Sequence, residues 1–112
     1  MLNSNLVKDN IVSNYRTNIG DVSIVVPEGV TKGIIVVDAS CWEGDGVVSL
    51  QLSGTDSQEL LDEINSSSVT HLTKKIYKCD LTPKNTVTLT VGKTGTTTSH
   101  LYYIGASISL IC

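Results

Sequence analysis

Apolar and polar residues alternate with period two along much of this chain, the pattern of a β-sheet with one face buried and one face wet. In Val47–Ser53, Val48, Leu50 and Leu52 point one way, and Ser49, Gln51 and Ser53 the other. Residues 86–91 set Val87, Leu89 and Val91 against Thr86, Thr88 and Thr90. Near the end, Ile104, Ala106, Ile108 and Leu110 alternate with Gly105, Ser107 and Ser109. Residues 21–26 and 33–39 are almost wholly apolar and read as central strands covered on both faces. In residues 69–81 the apolar parity changes: Leu72 and Ile76 share one face, Tyr77, Cys79 and Leu81 the other. A β-bulge near Ile76 and Tyr77 would bring both sets inward. Turn residues separate the strands at Pro27-Glu28-Gly29, Glu43-Gly44-Asp45-Gly46, Thr82-Pro83-Lys84-Asn85 and Gly92-Lys93-Thr94-Gly95.

One segment departs from this pattern. In residues 56–64 the apolar positions Leu60, Leu61 and Ile64 fall on one helical face, Asp56 and Glu59 have capping-box spacing, and Ser66-Ser67-Ser68 ends the run. The expected element is a helix of about two turns crossing between sheets. Residues 1–17 are mixed and read as an N-terminal connector or a short edge strand, and residues 18–112 as a single domain. The expected fold is therefore all-β: an antiparallel, jelly-roll-like β-sandwich of about seven or eight strands with one short helix.

Composition sharpens this picture. At 112 residues there is room for one core, and 40% hydrophobic residues can fill it. Phe is absent, so the core is aliphatic, and with only 17% charged residues the surface relies on Ser and Thr. The net charge is -3 and the Lys and Arg residues are scattered, which argues against a nucleic-acid partner. No apolar run approaches the roughly 18 residues of a helical membrane span. The opening residues lack a basic-then-apolar leader, so folding in a cytoplasm is expected. Cys41, Cys79 and Cys112 are odd in number and widely spaced, and read as reduced thiols.

Candidate chemistry is sparse. Gly92-Lys93-Thr94 ends like a phosphate loop, but Val87 stands where the pattern needs its first glycine, and residues 95–99 begin no helix. His71, His100, Cys79 and Cys112 lack the short spacing of a zinc site. No nucleophile elbow or carboxylate pair marks a catalyst, so no catalytic residue, metal or cofactor is assigned and the chain reads as a non-enzyme. The strongest binding candidate is a loop over residues 38–46, where Trp42 is flanked by Asp38, Glu43 and Asp45. An indole stacks on the C–H face of a sugar while carboxylates accept its hydroxyls. The alternative is that Trp42 anchors the core or a subunit interface. Tyr102 and Tyr103 put one ring on each face of a strand, which suits adhesion or subunit packing.

Two stretches carry a family pattern. Val26-Pro27-Glu28-Gly29-Val30-Thr31 runs into an apolar strand, and Asp80-Leu81-Thr82-Pro83-Lys84-Asn85-Thr86-Val87-Thr88-Leu89-Thr90-Val91-Gly92 later runs into Gly95-Thr96-Thr97-Thr98-Ser99. In order and spacing they resemble the glycine-rich β domains of bacteriophage tail-fibre and related virion proteins, over about residues 22–110. This chain is glycine-poor by comparison: Lys84 stands where the family often has glycine, and residues 40–46 replace its long glycine run. The resemblance implies a virion structural or adhesion protein, made in the host cytoplasm. It would be a fibre-tip or appendage domain that binds a host-surface glycan or another virion protein, and a homo-oligomer with a trimer favoured. Alternatives are an architectural capsid or baseplate decoration subunit and a bacterial carbohydrate-binding module.

Overall fold

The structure is a computed structural model that describes residues 11–17, 20–42, 47–67, 70–94 and 103–112. Eight strands follow one another: β1 (Ile11–Thr17), β2 (Gly20–Val25), β3 (Lys32–Trp42), β4 (Val47–Ser53), β5 (Ser57–Ser67), β6 (Thr70–Asp80), β7 (Thr86–Thr94) and β8 (Tyr103–Ile111). They form a five-stranded sheet in the order β1-β8-β3-β6-β5 and a three-stranded sheet in the order β2-β7-β4. Every pairing is antiparallel. The two sheets pack face to face, so the expected all-β sandwich is the fold. As in a jelly roll, the first strand pairs with the eighth, the second with the seventh and the third with the sixth. The departure is β5, which a jelly roll would set beside β4 in the smaller sheet. Here it joins the larger one, beside β6.

The core is the layer between the sheets. Val87, Leu89 and Val91 of β7 in the smaller sheet, and Ile108 and Leu110 of β8 with Ile35, Val37 and Ala39 of β3 in the larger, are fully buried. These are the inward parities read from the alternation. Branched aliphatic side chains suit this layer because they lose little freedom on a pleated surface and interdigitate without polar atoms to satisfy.

The chain crosses between the sheets three times at one end: β2 to β3, β4 to β5 and β6 to β7. Two of these crossings are type II turns. In the first, the Val30 amide donates to the Pro27 carbonyl (3.2 Å), with Gly29 at φ 83°. In the second, the Asn85 amide donates to the Thr82 carbonyl (3.2 Å), with Pro83 and then Lys84 at φ 71°. A type II turn needs positive φ at its third residue, which explains both the glycine and the unusual lysine. The turns bond to each other. The Val26 amide donates to Asn85 O, the Lys84 amide to Val26 O and the Leu81 amide to Thr31 O, each at 2.8 Å. The third crossing joins them: the Asp56 amide donates to Asp80 O (2.9 Å), and the Thr82 hydroxyl to the Asp56 carboxylate (2.7 Å). Gly54 (φ 92°) lies so close to the Thr86 carbonyl that any Cβ there would collide with it.

Three expectations need correction. The helix over residues 56–64 is instead the first part of β5, and no helix occurs among the described residues. A helix that short is marginal alone, whereas the extended form sets acids against bases: Glu59 opposite Lys78, and Glu63 opposite Lys75 with an ion pair of 3.6 Å. Asp56 caps no helix and ties the crossing instead. The bulge is real but lies on the other strand: Leu61 is the extra residue, between Leu60 (opposite Tyr77) and Asp62 (opposite Ile76). The β6 register to β3 is unbroken, so Leu72 and Ile76 stay on the outer face. Finally, β2 is an edge strand, with Val22 and Ile24 buried and Val25 57% exposed. Strand β3 is central, but Ile34 and Val36 on its outer face are only half-buried.

A left-handed lysine is strained by its Cβ. Lys84→Gly should therefore stabilise the fold by about 0.5–1 kcal/mol, seen as a Tm higher by roughly 2–5 °C in thermal unfolding. The Glu28–Lys84 pair at 3.8 Å is too exposed to offset this. An unchanged or lower Tm would contradict the turn assignment.

Candidate functional site

The outer face of the five-stranded sheet carries side chains from all five strands in cross-sheet rows. One row runs Tyr15 (β1), Ser107 (β8), Asp38 (β3), Lys74 (β6) and Ile64 (β5), each opposite the next in the strand register. The Ser107 hydroxyl donates to Asp38 Oδ1 at 3.0 Å, which holds the carboxylate in place on a rigid central strand. Tyr15 is 76% exposed. Strands lie about 4.8 Å apart, so the backbones at Tyr15 and Asp38, two strands apart in one row, stand about 10 Å apart. This row combines an exposed ring, a carboxylate, a hydroxyl and an ammonium. It offers stacking on a C–H face together with donors and acceptors for hydroxyls. The row nearest the crossings is apolar instead, with Ile11, Ile111 and Ile34 side by side. There a shallow groove of about 250 Å³ opens, floored by Gly33, Ile34 and Ile111 and rimmed by Lys32 and Lys78.

The structure thus relocates part of the expected loop. Residues 38–42 are strand, and Asp38 sits mid-sheet, four positions or about 13 Å from Trp42. Trp42 is the last residue of β3, opposite Thr70 and Tyr103. Glu43 and Asp45 lie outside the described residues, as do Tyr102 and His100. The ends of β1, β3, β5 and β7 and the starts of β2, β4, β6 and β8 all lie at the end of the sandwich opposite the crossings. Gly92, Lys93 and Thr94 belong to β7, a strand geometry that offers no helix N-terminus to a phosphate. Among the described residues no three His, Cys, Asp or Glu side chains are grouped to hold a metal ion, and no helix is long and apolar enough to cross a membrane. Tyr15, Lys74 and Ser107 were not picked out from the sequence. Their only signal is register, and Tyr15 meets Ser107 across most of the chain's length.

Compared with known proteins, the chain matches no family model, no curated protein and no solved structure.

Cys79 is a free thiol. Cys79 is 2% exposed, and burial, reinforced by the neighbouring Asp80 carboxylate, pushes its thiol up to about 11 from 9.0. The raised value favours the protonated form in the fold. The linked stability is fully present below pH 9 and is lost as pH rises from there toward about 11. Unfolding free energy should therefore fall across this window by up to about 2–3 kcal/mol more in the parent than in Cys79→Ala. Denaturant titrations at pH 8 and pH 11 check this, and equal slopes in the two proteins would contradict it. Reduction should leave Tm unchanged, because Cys79 is a free thiol and Cys41 and Cys112 lie at opposite ends of β3 in the strand register, too far apart to bond.

Proposed function

We propose that the chain is a non-enzymatic structural and adhesion protein of phage-virion type, an appendage or fibre-tip domain. Its outer sheet face would bind a host-surface glycan or another virion protein. The observation that carries this reading is the crossing corner. The two sequence stretches that resemble the virion domains, far apart in the chain, meet as paired type II turns bonded backbone to backbone. Lys84 stands where the pattern often has glycine, and it holds a positive φ, a conformation that favours glycine. The Tyr15–Ser107–Asp38–Lys74 row supplies chemistry for a glycan. The adjacent apolar row of Ile11, Ile111 and Ile34 favours a second reading, an architectural subunit that packs on a neighbouring virion protein.

A glycan array separates the two readings. On the adhesion reading the chain retains a defined glycan class. Tyr15→Ala should then weaken binding about tenfold or more, while Tm moves little because the ring is exposed. Trp42→Ala tests the other end of β3. If Trp42 anchors a ligand, binding falls with stability unchanged; if it is core, the change costs about 3–5 kcal/mol. Absence of any glycan signal, or binding indifferent to both substitutions, would overturn the glycan reading and leave the architectural one.

A further inference from the structure

The two sheets are unequal, and the excess lies on one side. On the other side β1 and β2 close against each other: Asn14 Nδ2 donates to Ser23 O (3.0 Å) and Arg16 Nη1 to Asp21 O (2.6 Å). There the sandwich is sealed. Opposite, β3 and β6 pack on β4, while β5 makes substantial contact with β6 alone. Every residue of β5 from Ser57 to Asn65 is exposed, Leu60, Leu61 and Ile64 among them. Strand β5 overhangs the smaller sheet, and its inner face is bare of a second layer from the described residues.

Beneath the overhang lies the outer edge of β4. Among the described residues no strand pairs with it. Its sequence, VVSLQLS, has no charge and no proline, the devices that normally guard an edge. The core residues beside this step, Leu50, Leu52 and Tyr77, keep 7–8% exposure, the highest in the core cluster. Strand β5, by contrast, carries Glu59, Asp62 and Glu63, no cation, and a bulge.

We propose that this step is a homodimer interface in which β5 of each copy pairs antiparallel with β4 of the other. A two-fold axis parallel to the strands, lying between the layers, turns the larger sheet of one copy into the plane of the smaller sheet of the other. Strands β5 and β4 run in opposite directions, and this rotation preserves direction, so the new pair is antiparallel like every other. Both inner faces remain inward. The result is two continuous sheets, each made of one five-stranded and one three-stranded sheet. Each β4 regains the neighbour that a jelly roll gives it, from the second copy.

Charge and shape select this pairing over others. Joining β5 to β5 would align carboxylates with carboxylates. Joining β4 to β4 would drive the two overhangs into the same space. Between β5 and β4 no like charges meet, because β4 has none. The overhangs then lie face to face, β6 over the partner strand β5. Leu60 and Tyr77 share one register row, and Glu63 and Lys75 another. The symmetry therefore sets Leu60 over the partner's Tyr77 and Glu63 over the partner's Lys75. This interface is independent of what the outer face binds.

The test uses the full chain. Light scattering at micromolar concentration should give a dimer, and Leu60→Asp, at a position already exposed in one copy, should give a folded monomer by circular dichroism. Wild type and the double variant Glu63→Lys/Lys75→Glu each keep the pair within the chain and between copies. Each should dimerise alone, yet mixed subunits should exchange at least about tenfold less than wild type with itself, since mixing opposes like charges. A monomer, a trimer, a dimer unaffected by Leu60→Asp, or free mixing of the two charge forms would overturn the proposal. None of these outcomes bears on glycan binding by the outer face.

Discussion

The corner where the chain changes sheets is the constraint on which the remaining structure depends. A sandwich of short strands holds only if each crossing delivers the next strand in register, because a slip of one residue would turn the whole apolar set to solvent. Three crossings share one end, and backbone bonds from Val26, Leu81, Lys84 and Asp56 tie them into a single unit. With β2, β3, β6 and β7 fixed at that end, the inward parity of Val22, Ile35, Tyr77 and Val87 follows. Among the described side chains, Tyr77 is the one aromatic in the core. The cost is local: one lysine in a left-handed conformation and one glycine pressed against a carbonyl.

What was legible in the sequence was what depends on short-range pattern. The parities of β4, β7 and β8 followed from alternation alone, and the two turns, though not their pairing, from Pro27, Gly29 and Pro83. The illegible parts depended on a partner strand. In residues 56–64 the spacing of Leu60, Leu61 and Ile64 fits a helix only because Leu61 is a bulged residue that breaks a strand's period. The corrective signal was present, but in the charge rather than the hydropathy: acids at Glu59 and Glu63, then bases at Lys75 and Lys78, placed about a common centre at positions 68 and 69. The kink expected in β6 has a different origin: Leu72 and Ile76 are apolar residues on the outer face of an unbroken strand, so the parity change in the sequence is a change of face and not of register. Asp38 was grouped with Trp42 by nearness in sequence, while the sheet sorts them by row. Asp38 belongs with Ser107 and Tyr15, which no local pattern could reveal.

The transfer of β5 from the smaller sheet to the larger follows from that same charge pattern. Beside β4, which has no charged residue, the carboxylates of Glu59 and Glu63 would face no cation on the neighbouring strand. Beside β6 they meet Lys78 and Lys75, and the Glu63–Lys75 pair sits partly sheltered, where it is worth more than a fully exposed pair. Cross-strand pairs of this kind contribute only a few tenths to about 1 kcal/mol each. That suffices to choose between two edges that offer equal backbone hydrogen bonding. The consequence is disproportionate, because one strand moved between sheets makes a symmetric sandwich into a stepped one.

A stepped sandwich in a chain with few charges has to be considered as a surface problem. Ile11, Leu60, Leu61, Ile64, Leu72 and Ile111 are all more than a third exposed. Scattered singly they would need no explanation, but they gather on the outer face of the larger sheet and along β5, and gathered apolar surface marks contact with another molecule. The two regions lie on different sides of the same strands. Ile64 shares the outer face with Tyr15, whereas Leu60 shares the inner face with Tyr77. A molecule seated on the outer face therefore leaves the β4 edge free, and a second copy seated under the overhang leaves the Tyr15 row open. Separation of this kind lets a small domain assemble through one surface and bind through the other. Assembly would then raise the avidity of a weak outer-face site without altering it.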